Sequence, residues 1–326
     1  MIGKLLHRGC LKLIACALLG ICLMAPLRAS AENYPSKPIR LLLGYPAGGG
    51  MDALGRIIGQ KLAENLGTSI VVENRPGATG TIAAVAVAQA APDGYTLLFG
   101  ETGFLLTPLL FAELPFDLKK SFVPISNVAT LPLAFVVTNS FPAKTTKELV
   151  AAIKASPGRY NYGTAGVGTV HHIAFEQFKR ATDIDAVHVP YKGGATLVPD
   201  LIAGRIEIGV LSSSVVAPLG RAGSARIIAV TSSDRPSNLP DVPTVAETIS
   251  GFDMAPRTWL AAPAGTPEAI VAKIRAAVAK ALKSKDVQEG FIKQGAIVAS
   301  ADGPLDLGTE SARWIEIARS VGVKPQ

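Results

Sequence analysis

The stretch Ile39-Arg40-Leu41-Leu42-Leu43-Gly44-Tyr45-Pro46-Ala47-Gly48-Gly49-Gly50-Met51-Asp52-Ala53-Leu54 changes character halfway along. Residues 39–45 are an apolar run of strand length. Residues 51–66 then place Leu54, Ile57, Ile58, Lys61 and Leu62 at spacings of three and four, which is one face of an amphipathic helix. Three glycines stand between the two. The rhythm continues outward: 69–73 reads as a strand, 79–90 as a helix and 96–100 as a third strand. A βαβαβ succession predicts a mostly parallel sheet covered by helices.

The same texture returns further on. Residues 133–138 read as a strand, 147–156 as a helix, 160–162 as a short strand before a glycine-rich loop, and 169–180 as a helix. Further strands are expected at 186–189, 206–211 and 225–231, with helical segments between them. The C-terminal part reads as helical. Thr266-Pro267-Glu268 offers a hydroxyl N-cap, a proline at the first helical position and an acid in the first turn. Ile270, Ile274, Val278 and Leu282 form the apolar face of that helix, and another helix is expected over 304–319. No repeat and no low-complexity linker separates the two α/β halves. The pattern therefore predicts two lobes joined by extended crossings near 131–136 and 251–259, with the C-terminal helices returning to the first lobe. In residue terms, 1–31 is a leader, 32–132 with 254–326 the first lobe, and 133–253 the second.

The chain has 326 residues, of which 48% are hydrophobic and 17% charged, which excludes a disordered or fibrous protein. Its formal charge of +7 invites a nucleic-acid reading. The N-terminus weakens it. Lys4, Arg8, Lys12 and Arg28 surround an apolar run over 13–24, no acid is present before residue 32, and Ala29-Ser30-Ala31 follows. Basic, apolar, then small is the layout of a secretory signal, with cleavage expected after Ala31 and the periplasm as destination. Without the leader the charge falls to about +3, and no basic cluster interleaved with aromatics remains to hold nucleic acid. Cys10, Cys16 and Cys22 all lie in the leader, so the mature chain is expected to use neither disulfides nor thiolates. Leu13-Ile14-Ala15-Cys16 loosely resembles a lipid-attachment box but sits too early. No later apolar stretch reaches the roughly 18 residues of a membrane span.

Two segments carry candidate chemistry. The loop 45–52 joins a strand to a helix through three glycines. Its amides can turn toward a ligand, and the helix N-terminus adds partial positive charge, so a carboxylate or phosphate suits it. Neither G-x-G-x-x-G nor a Walker loop is present, which argues against nucleotides. The loop Asn161-Tyr162-Gly163-Thr164-Ala165-Gly166-Val167-Gly168-Thr169 repeats the arrangement, with Thr169 placed to cap the next helix. Two such loops, one per lobe, could grip one anionic group across a cleft. His171 and His172 are adjacent and point about 100° apart on a helix, so they do not form a joint metal site. They and His188 read as structural or hydrogen-bonding groups. No cofactor or metal is expected. Ser212-Ser213-Ser214 has no evident base partner, and Gly-x-Ser-x-Gly is absent.

These segments resemble the extracytoplasmic solute receptors of the tripartite tricarboxylate transporter type, the Bug family. The likeness extends over 32–326. It rests on Tyr34-Pro35-Ser36-Lys37-Pro38-Ile39-Arg40, the glycine loop, Val72-Glu73-Asn74-Arg75-Pro76-Gly77-Ala78, Ala91-Pro92-Asp93-Gly94-Tyr95-Thr96-Leu97 and the segment 161–166. His188-Val189-Pro190-Tyr191-Lys192-Gly193-Gly194, Leu239-Pro240-Asp241-Val242-Pro243-Thr244 and Ala262-Pro263-Ala264-Gly265-Thr266-Pro267 complete it. The resemblance implies an α/β, two-lobed periplasmic-binding-protein fold of type II, each lobe a mostly parallel sheet flanked by helices. It implies a receptor that closes on a small carboxylate and hands it to transporter membrane subunits; a monomer is expected.

The positions matching the family's loops are Pro46, Ala47, Gly48, Gly49 and Asp52 against Gly163, Thr164, Ala165 and Thr169, with ordered water helping to hold the carboxylate. Tyr45, Glu101, Tyr191 and Leu211 complete the expected pocket. Ala47 stands where the family often has proline and Met51 where it has threonine. Leu211 stands where many relatives are polar or acidic, and Glu101 where a small hydroxyl residue is common. The expected ligand therefore has one clamped carboxylate and an apolar, aromatic or hydrogen-bond-donating far end. An ionised Glu101 would repel a second carboxylate. A dicarboxylate would need another cation, for which Arg257 is the candidate. The alternatives are a ligand-sensing receptor on the same fold, or a secreted α/β hydrolase, which would need a nucleophile–base pair in the cleft.

Overall fold

The structure, a computed structural model, describes residues 33–300 and 304–323. The leader, its cleavage site and its cysteines lie outside the described residues. A first sheet collects β1 (Ile39–Leu43), β2 (Ile70–Asn74), β3 (Thr96–Glu101), β4 (Phe122–Thr130) and two late strands, β10 (Arg257–Pro263) and β11 (Ile297–Val298), in the order β11-β4-β10-β3-β1-β2. A second collects β5 (Leu133–Val137), β6 (Asn161–Thr164), β7 (Val187–Pro190), β8 (Ile208–Ser212) and β9 (Arg226–Val230), in the order β7-β6-β8-β5-β9. The helices that cover the first sheet's strands early in the chain are α1 (Gly50–Leu66), α2 (Thr81–Ala88) and the short α3 (Thr107–Leu110). Those between the second sheet's strands are α4 (Thr146–Lys154), α5 (Val170–Thr182), α6 (Gly194–Ile202) and α7 (Ser213–Arg221). The chain then adds α8 (Glu268–Leu282), α9 (Lys285–Lys293) and α10 (Leu307–Ser320).

In each sheet four strands share one direction. The exceptions are β5, antiparallel to β8 and β9, and β10, antiparallel to β3 and β4, with the short edge β11 opposed to β4. Both β5 and β10 are reached by a crossing from the other sheet. The crossings touch: the Leu131 amide donates to the Pro256 carbonyl at 2.7 Å. β5 is apolar throughout because both its faces are covered. Leu133, Phe135 and Val137 join one core with Phe175 and Phe178, while Ala134 and Val136 join another with Leu197 and Val216.

The helix over 51–66 forms as its spacing predicts. It lies close to the sheet because Gly55 and Gly59 face β1 and β2; a side chain at 55 would come within 2.7 Å of Leu43. Lys61, part of the expected apolar face, bridges Glu64 and Asp286, both at 2.7 Å, and so ties α1 to α9. The cap expected at Thr266 sits one residue later. Pro267 is the N-cap of α8, and the Thr266 hydroxyl donates instead to the Pro263 carbonyl at 2.8 Å.

β4 and β10 escaped the sequence pattern. Pro124 interrupts β4, and it is accommodated where the register with β10 shifts between Leu260 and Ala261, so its missing N–H breaks no regular ladder. Helices α6 and α7 were expected only as unspecified segments, since each contains an internal proline, Pro199 and Pro218.

Helix α10 belongs to neither sheet alone. Leu307 lies in the core beside Phe104 and Trp259, whereas Trp314, Ala318 and the following Val323 lie in the core around Phe135 and Phe175.

Candidate functional site

β1 lies between β2 and β3, and β6 between β7 and β8. Successive connections therefore leave each central strand in opposite directions and open a crevice at its carboxyl end, which is the general binding position of doubly wound sheets. The two glycine loops occupy these two positions.

In the first loop the Tyr45 hydroxyl donates to Glu101 Oε1 at 2.7 Å, across the neighbouring ends of β1 and β3. Asn74 Nδ2 donates to the Tyr45 carbonyl at 3.1 Å and to Asp52 Oδ1 at 2.9 Å. Asp52 Oδ2 accepts from the Gly48 amide at 2.9 Å and from Arg56 Nε at 3.0 Å. The Arg56 guanidinium, helped by the Gly48 and Asn74 donors, holds the Asp52 carboxyl at about 2, well below the usual range. Asp52, expected to meet the ligand, instead spends both oxygens on bracing the loop, and the Gly48 amide is already taken. Gly50 and Met51 begin α1, where first-turn amides have no intrahelical acceptor.

In the second loop Thr169 is the N-cap of α5, accepting from the His172 amide, and its hydroxyl donates back to the Gly166 carbonyl at 2.8 Å. Thr164 Oγ1 pairs with His188 Nε2 at 2.7 Å. The His188 ring stacks on His172 with centroids 4.0 Å apart. Burial, with His172 next to it, pushes His188 down to about 4, and burial lowers His172 as well. Both rings are then neutral at pH 7, so stacking brings no like-charge repulsion. These two histidines build the loop, as the sequence suggested.

Two adjoining cavities lie between the sheets. One, of about 330 Å³, is lined by Gly50, Met51 and Leu54 of α1, by Glu101, by the crossings at 131–133 and Pro256, by Val170 and His171 of α5, by 212–215 at the start of α7, and by Gln294 and Gly295. The other, of about 280 Å³, is lined by Thr79, Glu101, Gly103, Leu106 and Leu110 on one side and by Ala165 and 167–171 on the other. Glu101, Val170 and His171 are common to both. The N-termini of three helices, α1, α5 and α7, thus converge on one space, and no lysine or arginine lines either cavity among the described residues. Each N-terminus contributes partial positive charge and unpaired amides. The arrangement can hold an anion without a side-chain cation. A larger depression of about 580 Å³ lies along β9 and the C-terminal half of α7. The C-terminal end of α7 faces it, and Arg221 and Arg226 line it, the latter donating to the Phe141 and Ala143 carbonyls.

Of the expected site residues, Glu101, Ala165 and Thr169 line these cavities. Pro46, Ala47, Gly48 and Gly49 are exposed at the mouth of α1 and line neither. Gly163 and Thr164 are buried behind the second loop; a side chain at 163 would strike Leu197. The Tyr191 hydroxyl donates to Asp200 at 2.8 Å, and its ring packs beside Gly163 rather than in the cavity. Leu211, expected at the far end of the pocket, belongs to the core with Ala134 and Leu197. Arg257 is committed elsewhere: its guanidinium meets Asp253 and, at 3.4 Å, Glu310, so it is no counter-ion for a second carboxylate.

His171 was assigned no contact with the ligand, yet it faces both cavities. Burial lowers it to about 4, and its Nδ1 is buried without a hydrogen-bond partner. Gln294 and Gly295 were not foreseen, because nothing in the sequence indicates that the end of α9 reaches the crossings. The serines 212–214 do share a cavity with a histidine. However, the Ser213 hydroxyl donates to the Gly295 carbonyl at 2.7 Å, and no hydroxyl is hydrogen-bonded to His171 among the described residues. A nucleophile–base pair is not assembled there.

Two switch-point crevices facing one another, with helix N-termini pointed into the space between, define a class: the two-lobed periplasmic-binding-protein fold. The chain matches the tripartite tricarboxylate transporter family receptor over residues 54–303, and it belongs to that family. It is 33% identical to protein BugT of Bordetella pertussis over 302 residues, 90% of this chain and 92% of that one. Among solved structures it is similar to Rpa4515 of R. palustris with adipate, at 32% identity and a TM-score of 0.75, covering 90% of this chain and 100% of that one. It is also similar to MatC of Rhodopseudomonas palustris with bound malate, at 31% identity and a TM-score of 0.69, covering 87% and 99%. The family is one of solute-binding receptors, not of enzymes.

Proposed function

We propose that this protein captures a small carboxylate between its lobes and delivers it to the membrane subunits of a tripartite transporter. The observation that carries this reading is the convergence of the α1, α5 and α7 N-termini on a space that no lysine or arginine lines among the described residues. Carboxylates are favoured there by amides and helix dipoles. A site of this kind keeps the anion without a strong ion pair, which suits reversible loading and release. Hinge closure about the paired crossings at Leu131 and Pro256 brings the lobes onto the ligand. The adipate and malate held by the two similar structures agree with the ligand class.

Native mass spectrometry of freshly purified protein tests the reading. A retained organic acid is expected, and titration calorimetry with that acid is expected to give a single site. Loss of its uptake in cells lacking this chain supports transport. Unchanged uptake, with an altered transcriptional response to the acid, would move the assignment to sensing. Steady turnover of esters or amides would overturn both.

A further inference from the structure

Glu101 and His171 are the titratable side chains on the walls of the two cavities among the described residues, and each lines both. Glu101 closes β3 and caps the turn Thr102–Leu106. Its Oε1 takes two hydrogen bonds, from the Tyr45 hydroxyl at 2.7 Å and from the Gly103 amide at 2.8 Å. A side chain at 103 would come within 2.3 Å of that oxygen, so the glycine makes room for the carboxylate. Oε2 accepts from no described residue and keeps surface open to the cavities. The polar residues Ser212, Ser213, Ser214 and Gln294 on the wall are all neutral. Charge around Glu101 is equally sparse. Tyr45, from the loop after β1, is pushed well above its ordinary value by burial and keeps its proton. His171, from α5, is lowered by burial to about 4 and is neutral above pH 6. Asp52, from α1, is held at about 2 and is matched by Arg56. Arg257, from β10, donates its amide to Thr102 next to Glu101 but spends its guanidinium on Asp253 and Glu310. Burial raises the Glu101 carboxyl above its ordinary range, more than the Tyr45 and Gly103 donors lower it.

We infer that Glu101 takes up one proton from solvent when the ligand binds and donates it, through Oε2, to the ligand's carboxylate. This rests on the carboxylate-capture reading and deepens it. Two carboxylates enclosed together without a cation cannot both stay ionised, so the pair shares one proton. The Tyr45 hydroxyl and the Gly103 amide occupy Oε1, which makes it the carbonyl oxygen of the neutral acid and leaves the hydroxyl at Oε2, on the cavity side. One O–H bond forms: water or buffer gives up the proton, Oε2 gains it, and the ligand enters as its anion and stays one. The helix N-termini supply the other donors to the ligand. Because the protonated form of Glu101 is the one that binds, capture is strongest below the carboxyl's value in the empty protein and weakens as pH rises above it.

Titration calorimetry with hexanoate, adipate, malate and benzoate at pH 6.5, 7.5 and 9 tests the inference. Each titration is run in HEPES and in Tris, whose different ionisation enthalpies reveal the number of protons taken up per ligand. The four acids are ionised across this range, and Tyr45, His171 and Asp52 do not titrate within it. For the acids that bind, affinity is expected to fall tenfold or more from pH 6.5 to 9, with roughly half a proton or more taken up per ligand along the way. Glu101→Gln keeps an acceptor for Tyr45 and Gly103 and presents an N–H where the neutral acid has its O–H. That variant, melted alongside the parent to verify folding, is expected to show level affinity and no proton uptake, and to bind tenfold or more tightly than the parent at pH 9. Parent affinity that stays level from pH 6.5 to 9 without proton uptake, or uptake that persists in Glu101→Gln, overturns the inference and leaves carboxylate capture standing. No binding by any of the four acids at millimolar concentration overturns the capture reading and the inference together.

Discussion

Asp52→Asn isolates what holds the first glycine loop in shape. The substitution keeps volume and an acceptor but removes the charge that Arg56, Asn74 and the Gly48 amide surround. The carboxyl is held at about 2 against an ordinary 3.8. A shift a little under two units, at about 1.4 kcal/mol each, sets a ceiling of roughly 2.5 kcal/mol. The Arg56 side chain is 53% exposed, so water screens the strongest partner, and the expected loss is roughly 1–2 kcal/mol. The sign follows from the direction of the shift. A carboxyl depressed in the folded chain stabilises it fully above the unfolded value near 4, and that contribution fades as pH falls from 4 toward 2. Urea unfolding of parent and variant at pH 7, 4.5 and 3 is the assay. The gap is expected to be full at pH 7 and 4.5 and to narrow at pH 3. Equal midpoints at pH 7, or a gap that widens in acid, would refute the account of the brace.

Gly50→Pro probes the amides directly. Gly50 is the first residue of α1, lines the cavity and has open space where a side chain would go, so proline removes a donor at a position where helices tolerate it; ligand affinity is expected to fall tenfold or more while the melting temperature moves by only a few degrees. Thr169→Ala removes the bond to Gly166 and the cap of α5, so about 1 kcal/mol of stability should be lost in thermal unfolding; because the hydroxyl's hydrogen is spent inside the loop, calorimetry should show a smaller affinity loss than Gly50→Pro. His171 is neutral when folded and is lowered to about 4 from an ordinary 6.5, so the parent should lose stability as pH falls from 6.5 to 4; His171→Leu should reduce that loss by roughly 1–3 kcal/mol in urea titrations at pH 7 and 4.5.

The architecture was legible wherever one period governed a segment. The run from Ile39 through Leu66 carries strand spacing, a glycine break and helix spacing in turn, and each became the element it indicates. Legibility failed where a proline broke the pattern, as at Pro124 in β4, or where partners lay far apart in sequence, as with Gly295 and Ser213. The site divided along the same line. Loop positions follow from glycines next to helix starts, which are local signals. Which side chains face the cavity depends on the second sheet and on α9. Asp52 and His171 show the limit. An acid beside a glycine loop reads as a ligand contact until Arg56 and Asn74 are seen around it. A histidine beside another reads as scaffold until its neighbour is found stacked on His188 and it alone faces the cleft.

Helix α10 has one end in each hydrophobic interior, with Leu307 beside Trp259 and Trp314 fully buried near Phe175. Two interiors pinned by a single rod cannot lose their packing independently: opening either exposes half of the rod's apolar face and withdraws support from the other. Heating should therefore give one calorimetric transition whose van't Hoff and measured enthalpies agree, and bound solute should raise that transition as a whole rather than split it.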